Sequence, residues 1–156
     1  MNSMTSDNQI STGKNFSDVF DKIICVVLHY PSTSWQDKII IRMMPKDMRR
    51  DYLHVSLGIG NEYYTWTARG LEVLDIESSD IYRILWFPVP DTMPYLMRAF
   101  EMCQRKTTLK SLLLARLGFK SDTCASLVAN AVWGEGCYLP YPSQVVDAIT
   151  EEGIWY

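Results

Sequence analysis

The chain has 156 residues, of which 47% are hydrophobic, enough for the core of one domain and too few for two domains of ordinary size. Its formal net charge of -3 argues against a nucleic-acid partner, and no apolar run approaches the length of a membrane span, so no integral membrane segment is predicted. The four cysteines include no C-x-x-C pair and there are two histidines, so a structural zinc site is excluded and no cofactor is predicted.

The N-terminal segment and the cysteines bear on where the chain works. The sequence before the first apolar run is polar and unlike a signal peptide, and unpaired cysteines are typical of a reducing compartment. We therefore expect a cytoplasmic protein, and a viral or phage protein in a host cytoplasm or virion fits equally well. Residues 1–15 are rich in Ser, Thr and Asn, which predicts a disordered polar arm before a single domain at residues 16–156.

The spacing of apolar side chains changes once along the domain. Runs that alternate, or that are rich in β-branched and aromatic side chains, predict strands at residues 23–28, 38–42, 53–60, 63–67, 71–76 and 82–89. Apolar spacing of three and four residues then predicts helices at residues 92–105, 107–117, 124–133 and 142–149. This order predicts an α+β fold in which a small antiparallel β-sheet packs against helices.

Cys124 is the first candidate functional residue. It stands in the first turn of its predicted helix, directly after Ser121, Asp122 and Thr123, whose side chains suit capping. There, unpaired backbone N–H groups and the positive end of the helix dipole favour a thiolate with a depressed pKa and can stabilise an oxyanion. Free cysteines are also among the most buried residue types, so the position alone fits a core side chain as well.

A nucleophilic cysteine needs a base within hydrogen-bond reach, and the two histidines are the candidates. His54 lies on the small-residue face of its predicted strand, beside Ser56 and Gly58, where another element can approach closely. His29 lies at the end of the first strand, where it suits a loop or a strand-end cap. We therefore predict His54 as the base for Cys124, with a structural strand histidine as the alternative.

Three short motifs stand in a distinctive order along the chain. H-V-S-L-G-I-G begins at His54, C-A-S-L-V-A-N-A begins at Cys124, and L-P-Y-P-S-Q-V-V-D-A-I begins at Leu139. In this order the chain resembles the permuted NlpC-like papain-fold cysteine hydrolases, which include YiiX-type amidases and the lecithin retinol acyltransferase branch. The likeness spans residues 52–149. It implies a circularly permuted papain-like fold in which Cys124 attacks an amide bond, in a peptide or other amide-containing substrate, with His54 as base.

The family also carries a polar residue on the strand after the histidine strand, where it orients the imidazole. Counting without gaps from His54 puts Trp66 at that position, between Thr65 and Thr67. An indole N–H donates a hydrogen bond but accepts none, so a threonine hydroxyl or a backbone carbonyl is the acceptor that the sequence offers. The sequence thus predicts an incomplete triad, which is either a dyad with a weak orienting residue or a site that has lost activity.

Three functions stay open on the sequence. The first is the amide hydrolase, and the second is a lipid acyl hydrolase or acyltransferase on the same fold. The third is a non-catalytic binding or virion-associated structural module with aromatic anchors, in which the C-terminal aromatic tail at residues 153–156 binds a protein partner. The structural alternative is that these aromatic residues belong to the hydrophobic core of the domain.

Overall fold

The computed structural model describes residues 22–151. They form a five-stranded antiparallel sheet and five α-helices, which confirms the predicted α+β class. The circular permutation of a papain-like fold stays a prediction. The polar arm predicted at residues 1–15 and the aromatic tail at residues 153–156 lie outside the described residues.

The sheet places the first strand in its interior, next to one edge strand. Its strands are β1 (Ile23–His29), β2 (His54–Ile59), β3 (Glu62–Thr67), β4 (Gly70–Val73) and β5 (Ile81–Pro88). Their order across the sheet is β4–β3–β2–β1–β5, so β1 has a neighbour on each side. Because β1 is buried along almost its whole length, its sequence is a continuous apolar run rather than an alternating one. The predicted hairpin of β2 and β3 is confirmed, with Gly60 at a φ of 64° in the turn.

The helices are α1 (Trp35–Met43), α2 (Met93–Glu101), α3 (Leu109–Arg116), α4 (Cys124–Trp133) and α5 (Pro142–Glu151), and a 3-10 turn lies at Lys46–Met48. The strand predicted at residues 38–42 is wrong, because these residues lie within α1. The side chain of Ser34 accepts the backbone N–H of Asp37, whose carboxylate also suits the positive end of the helix dipole. These interactions outweigh the β-propensity of the three isoleucines that follow.

The helix predicted at residues 92–105 ends early, at Glu101, for a tertiary reason. The indole N–H of Trp66 donates to the carbonyl of Met102 at 3.1 Å, and the N–H of Leu71 donates to the carbonyl of Cys103 at 2.8 Å. Donors of the β3–β4 hairpin therefore occupy these two carbonyls, and the helix ends before them. A Cβ at Gly70 would lie 2.6 Å from the carbonyl oxygen of Cys103, so the close approach requires glycine there.

The core lies between one face of the sheet and α4. This helix contacts β2, β3, α2 and α5, and eight of its ten residues are buried. Leu127 and Val128 of α4 and Val55 and Leu57 of β2 have no exposed surface. Because α4 is enclosed on nearly every side, its first residue, Cys124, has a fixed position relative to the sheet.

Candidate functional site

The start of α4 and the ends of two strands meet at one cavity. The register pairs His29, the last residue of β1, with His54, the first residue of β2. Both histidines and Cys124 line a cavity of about 390 Å³. The structure therefore brings together the two residues predicted to react with substrate, and it adds a second histidine to them.

A capping box holds Cys124 at the start of α4. The hydroxyl of Thr123 accepts the N–H of Ser126 at 3.1 Å, and the hydroxyl of Ser126 accepts the N–H of Thr123 at 2.9 Å. The Thr123 hydroxyl also donates to the carbonyl of Pro140 at 2.8 Å. Asp122, which the sequence also offered as a cap, instead forms an ion pair with Arg105.

Burial dominates the electrostatics of the Cys124 thiol. The residue is 6% exposed, and loss of water raises the pKa of its thiol to about 11. Hydrogen bonds from the backbone at Val55, Ala125 and Cys124 itself lower the pKa but do not offset burial. The depressed pKa expected from the helix start is therefore wrong for the resting protein, whose thiol is neutral near pH 7.

Thr65 of β3 holds the ring of His54. Nε2 of His54 lies 2.6 Å from Oγ1 of Thr65, and the ring has no second hydrogen bond within residues 22–151. The tautomer protonated at Nε2 donates to this hydroxyl and leaves the lone pair of Nδ1 for a proton from the thiol. Burial lowers the pKa of His54 to about 4, and the carboxylate of Asp37 acts in the opposite direction. The ring is therefore neutral near pH 7 and able to accept a proton.

The two other residues considered for orienting the ring do not bond to it in the described chain. Trp66 is buried in the core, where its indole donates to Met102. Thr67 lines the cavity, but its hydroxyl accepts the N–H of Arg69 in the β3–β4 turn. Side chains alternate between the two faces of a strand, so Trp66 and Thr65 face opposite sides of the sheet. Trp66 faces the core together with Val55, whereas Thr65 shares the opposite face with His54.

His29 has a larger part in the site than the strand-end role predicted for it. Its ring centroid lies 5.4 Å from that of His54, and its Nε2 lies 2.9 Å from Oγ of Ser56. Burial, together with the nearby His54, lowers the pKa of His29 to about 4. The available signal was positional: one histidine ends a predicted strand and the other begins the next predicted hairpin, where antiparallel pairing sets them side by side.

The remaining wall of the cavity is largely apolar. Ile40 and Met44 from the α1 region, Leu112 of α3 and Tyr141 before α5 contribute to it. The described lining residues include two carboxylates, those of Asp37 and Asp80, and no lysine or arginine. The cavity thus joins an apolar chamber to the polar group formed by the thiol, the two imidazoles and Thr65, a combination typical of small-molecule sites.

Possible metal ligands and membrane-spanning helices can be checked within the described part of the chain. Within residues 22–151, no group of three or more His, Cys, Asp and Glu side chains could hold a metal ion. No helix there is long and apolar enough to cross a membrane. The four cysteines form no disulfide within the described residues; Cys103 is exposed, and Cys25 and Cys124 are buried.

Comparison of the chain with protein-family models, with curated proteins and with solved structures found no match. The resemblance to the permuted NlpC-like hydrolases therefore stays a prediction. A function for the chain has to be argued from the geometry of the cavity and the residues that line it.

Proposed function

We propose that the chain is a cysteine-nucleophile hydrolase that cleaves an amide bond through an acyl-enzyme on Cys124, with His54 as base. The observation that carries the proposal is the 2.6 Å hydrogen bond between Thr65 and Nε2 of His54, in the cavity that Cys124 also lines. A base oriented by a third group beside a nucleophile is the arrangement that covalent catalysis needs.

The protonation states support general-base catalysis rather than a resting ion pair. The pKa of Cys124 is raised to about 11 and that of His54 is lowered to about 4, so both groups are neutral before reaction. Sγ attacks the carbonyl carbon while its proton moves to Nδ1 of His54. The imidazolium then protonates the leaving amine as the C–N bond breaks, which leaves a thioester on Cys124. Water, deprotonated by His54, hydrolyses the thioester and restores the thiol.

The first turn of α4 supports the developing oxyanion. The backbone N–H of Ser126 is bonded to the Thr123 hydroxyl, and that of Leu127 is bonded to the Thr123 carbonyl. The N–H groups of Cys124 and Ala125 lie beside the sulfur and are the ones suited to a negatively charged oxygen. The described structure has no direct hydrogen bond between the thiol and His54, and such bonds commonly tighten when substrate binds.

Specific observations favour each of two other functions. The apolar wall of the cavity accepts a fatty acyl chain as well as an apolar amino-acid side chain, which favours a lipid acyl hydrolase or acyltransferase. The raised pKa of Cys124 and the threonine in place of an orienting carboxylate favour a non-catalytic binding module. The hydrolase accounts for the thiol, the oriented His54 ring and the backbone N–H groups beside the sulfur, so we prefer it.

The test uses the full chain with two substrate sets, acylated peptide amides and phospholipids, and measures release of amine and of fatty acid. Amine release that is lost in Cys124→Ala and kept in Cys103→Ala supports the amide hydrolase. Cys103 is the matched control because its thiol is exposed and does not line the cavity. Release of fatty acid alone supports the lipid enzyme. Absence of both products, together with no acylation of Cys124 by an activated acyl ester, contradicts the enzyme.

A further inference from the structure

The outward sides of α1 and α3 carry large apolar side chains that nothing in the described chain covers. Residues four apart lie on one side of a helix, so these side chains form a stripe along each helix. They are Trp35 and Ile39 of α1, Leu109 and Leu113 of α3, and Leu117 and Phe119, which directly follow α3. Trp35 and Leu117 are the most exposed of them, at 63% and 64%. A contiguous patch of exposed apolar side chains on a folded protein marks an interaction surface.

The same outward sides carry positive charge. Lys38 and Arg42 of α1 and Lys110 and Arg116 of α3 are all exposed. The one acidic residue of the two helices, Asp37, is half-buried and lines the cavity. This set of apolar and basic side chains, called here the α1–α3 face, therefore presents cations without an anion, although the whole chain has a net charge of -3.

The α1–α3 face is one surface, and it adjoins the cavity. The two helices contact each other directly. Their inward sides also line the cavity, through Asp37 and Ile40 of α1 and Leu112 of α3. A partner bound to this face would therefore lie next to the site that contains Cys124.

We infer that the α1–α3 face docks on the surface of an anionic lipid bilayer. Apolar side chains enter the boundary between headgroups and acyl chains, tryptophan favours that boundary, and lysine and arginine pair with anionic headgroups. A nucleic-acid surface would not expose so many apolar side chains, and the core of a protein–protein interface is depleted of lysine. The inference does not depend on Cys124 being a nucleophile, because it concerns binding alone.

Flotation of the full chain with lipid vesicles tests this inference. We expect the protein to float with vesicles of phosphatidylcholine mixed with phosphatidylglycerol and not with pure phosphatidylcholine, and to be released by added salt. Leu113→Ser with Leu117→Ser should lower the partition coefficient about tenfold. Lys38→Gln with Lys110→Gln should lower it roughly tenfold to thirtyfold.

Matched variants on other surfaces provide the controls. Met93 and Met97 of α2 are exposed to 53% and 57%, similar to the 47% and 64% of Leu113 and Leu117, so their change to serine tests loss of apolar surface in general. Lys22→Gln is the control for loss of one positive charge, because Lys22 precedes β1 at the end of that strand opposite the cavity-lining His29. Both controls should float like the unchanged chain, and thermal melting should show that all variants are folded.

Several results would overturn the inference. They are absence of flotation with anionic vesicles, equal flotation with pure phosphatidylcholine, and equal losses in the face variants and their controls. Self-association of the unchanged chain without flotation, abolished by Leu113→Ser with Leu117→Ser, would assign the face to a second copy instead. Binding of an acidic protein through the face, again without flotation, would assign it to a protein partner.

Discussion

Oγ1 of Thr65 lies 2.6 Å from Nε2 of His54, across two neighbouring strands of the sheet. The hydroxyl is the one group hydrogen-bonded to the ring in the described chain, so it holds the orientation of the ring, and the proposed base is the tautomer with its proton on Nε2. In the proposed hydrolase, the threonine hydroxyl takes the place that a carboxylate or amide holds in a complete triad. It orients His54 without adding charge to the cavity.

Thr65→Val should slow the acylation of Cys124 by an activated acyl ester about tenfold, because valine keeps the shape of threonine and removes the acceptor for the ring N–H. Thr65→Ser is the matched control, since it keeps a hydroxyl, and its rate should stay close to that of the unchanged chain. Peptide-level mass spectrometry measures both rates. Equal rates in the valine and serine variants would show that the hydrogen bond has no part in reactivity.

The capping box of α4 should affect both stability and reactivity. Thr123→Ala removes the cap of this helix and the bond to Pro140, and should lower the free energy of unfolding by about 1–2 kcal/mol in urea titrations. It should also slow acylation of Cys124, because the first turn is no longer anchored. Thr108→Ala is the control, since Thr108 and Ser111 form the same capping box on α3. A similar loss of stability with an unchanged acylation rate is expected there, and equal slowing in both variants would contradict this account.

The two facing histidines should make the protein sensitive to mild acid. The pKa values of His29 and His54 are lowered from 6.5 to about 4 in the folded protein, so between these pH values the unfolded chain binds more protons. The free energy of unfolding should therefore fall as the pH drops from 6.5 to 4, by about 2 kcal/mol for each histidine after allowance for solvent screening. Urea titrations at a series of pH values measure this slope.

His29→Gln separates the contribution of His29 from that of every other titratable group in the chain. Glutamine keeps a hydrogen-bonding group toward Ser56 and does not titrate. The slope of unfolding free energy against pH should be smaller in this variant than in the unchanged chain. Identical slopes would mean that His29 is protonated equally in the folded and unfolded states.

The close contact of β1 and β2 at Gly58 should not tolerate a side chain. A Cβ there would lie 2.3 Å from Sγ of Cys25 and 3.0 Å from the ring of Tyr63. Gly58→Ala should lower the free energy of unfolding by about 1–3 kcal/mol, and Cys25→Ala in the same chain should restore part of it because the sulfur is removed. Gly136→Ala, with no atom within 4 Å of its Cβ, is the control and should change little. Additive effects of Gly58→Ala and Cys25→Ala would contradict the contact.

Local patterns predicted the strands and the cysteine helix because their signals lie within a few residues. The hairpin of β2 and β3 follows from alternation around a glycine turn, and α4 follows from a threonine cap and a glycine stop at Gly134. The sequence of α1 predicts a strand because three consecutive isoleucines are typical of one, whereas the segment is helical. The side chain of Ser34 accepts the N–H of Asp37 and stabilises the start of the helix, and the composition of residues 38–42 does not reveal this bond.

The parts of the site that escaped prediction depend on contacts distant in sequence. Choosing Thr65 over Trp66 required the register of β2 against β3, which sets the face that each side chain occupies. The position of His29 required the pairing of β1 with β2, which brings His29 and His54 together across the 24 residues between them. The high pKa of Cys124 arises from burial by other elements, which outweighs the helix start that the sequence does show.

The acylation rate of Cys124 in His54→Ala, relative to the unchanged chain, tests the central claim most directly. An activated acyl ester is added near neutral pH, and peptide-level mass spectrometry follows acylation at each of the four cysteines. If His54 takes the thiol proton, Cys124 should be acylated faster than the exposed Cys103 in the unchanged chain, and His54→Ala should slow Cys124 alone by about 10²–10⁴-fold. A rate at Cys124 no greater than at Cys103, and unchanged by His54→Ala, would contradict the claim that these two residues form a catalytic pair.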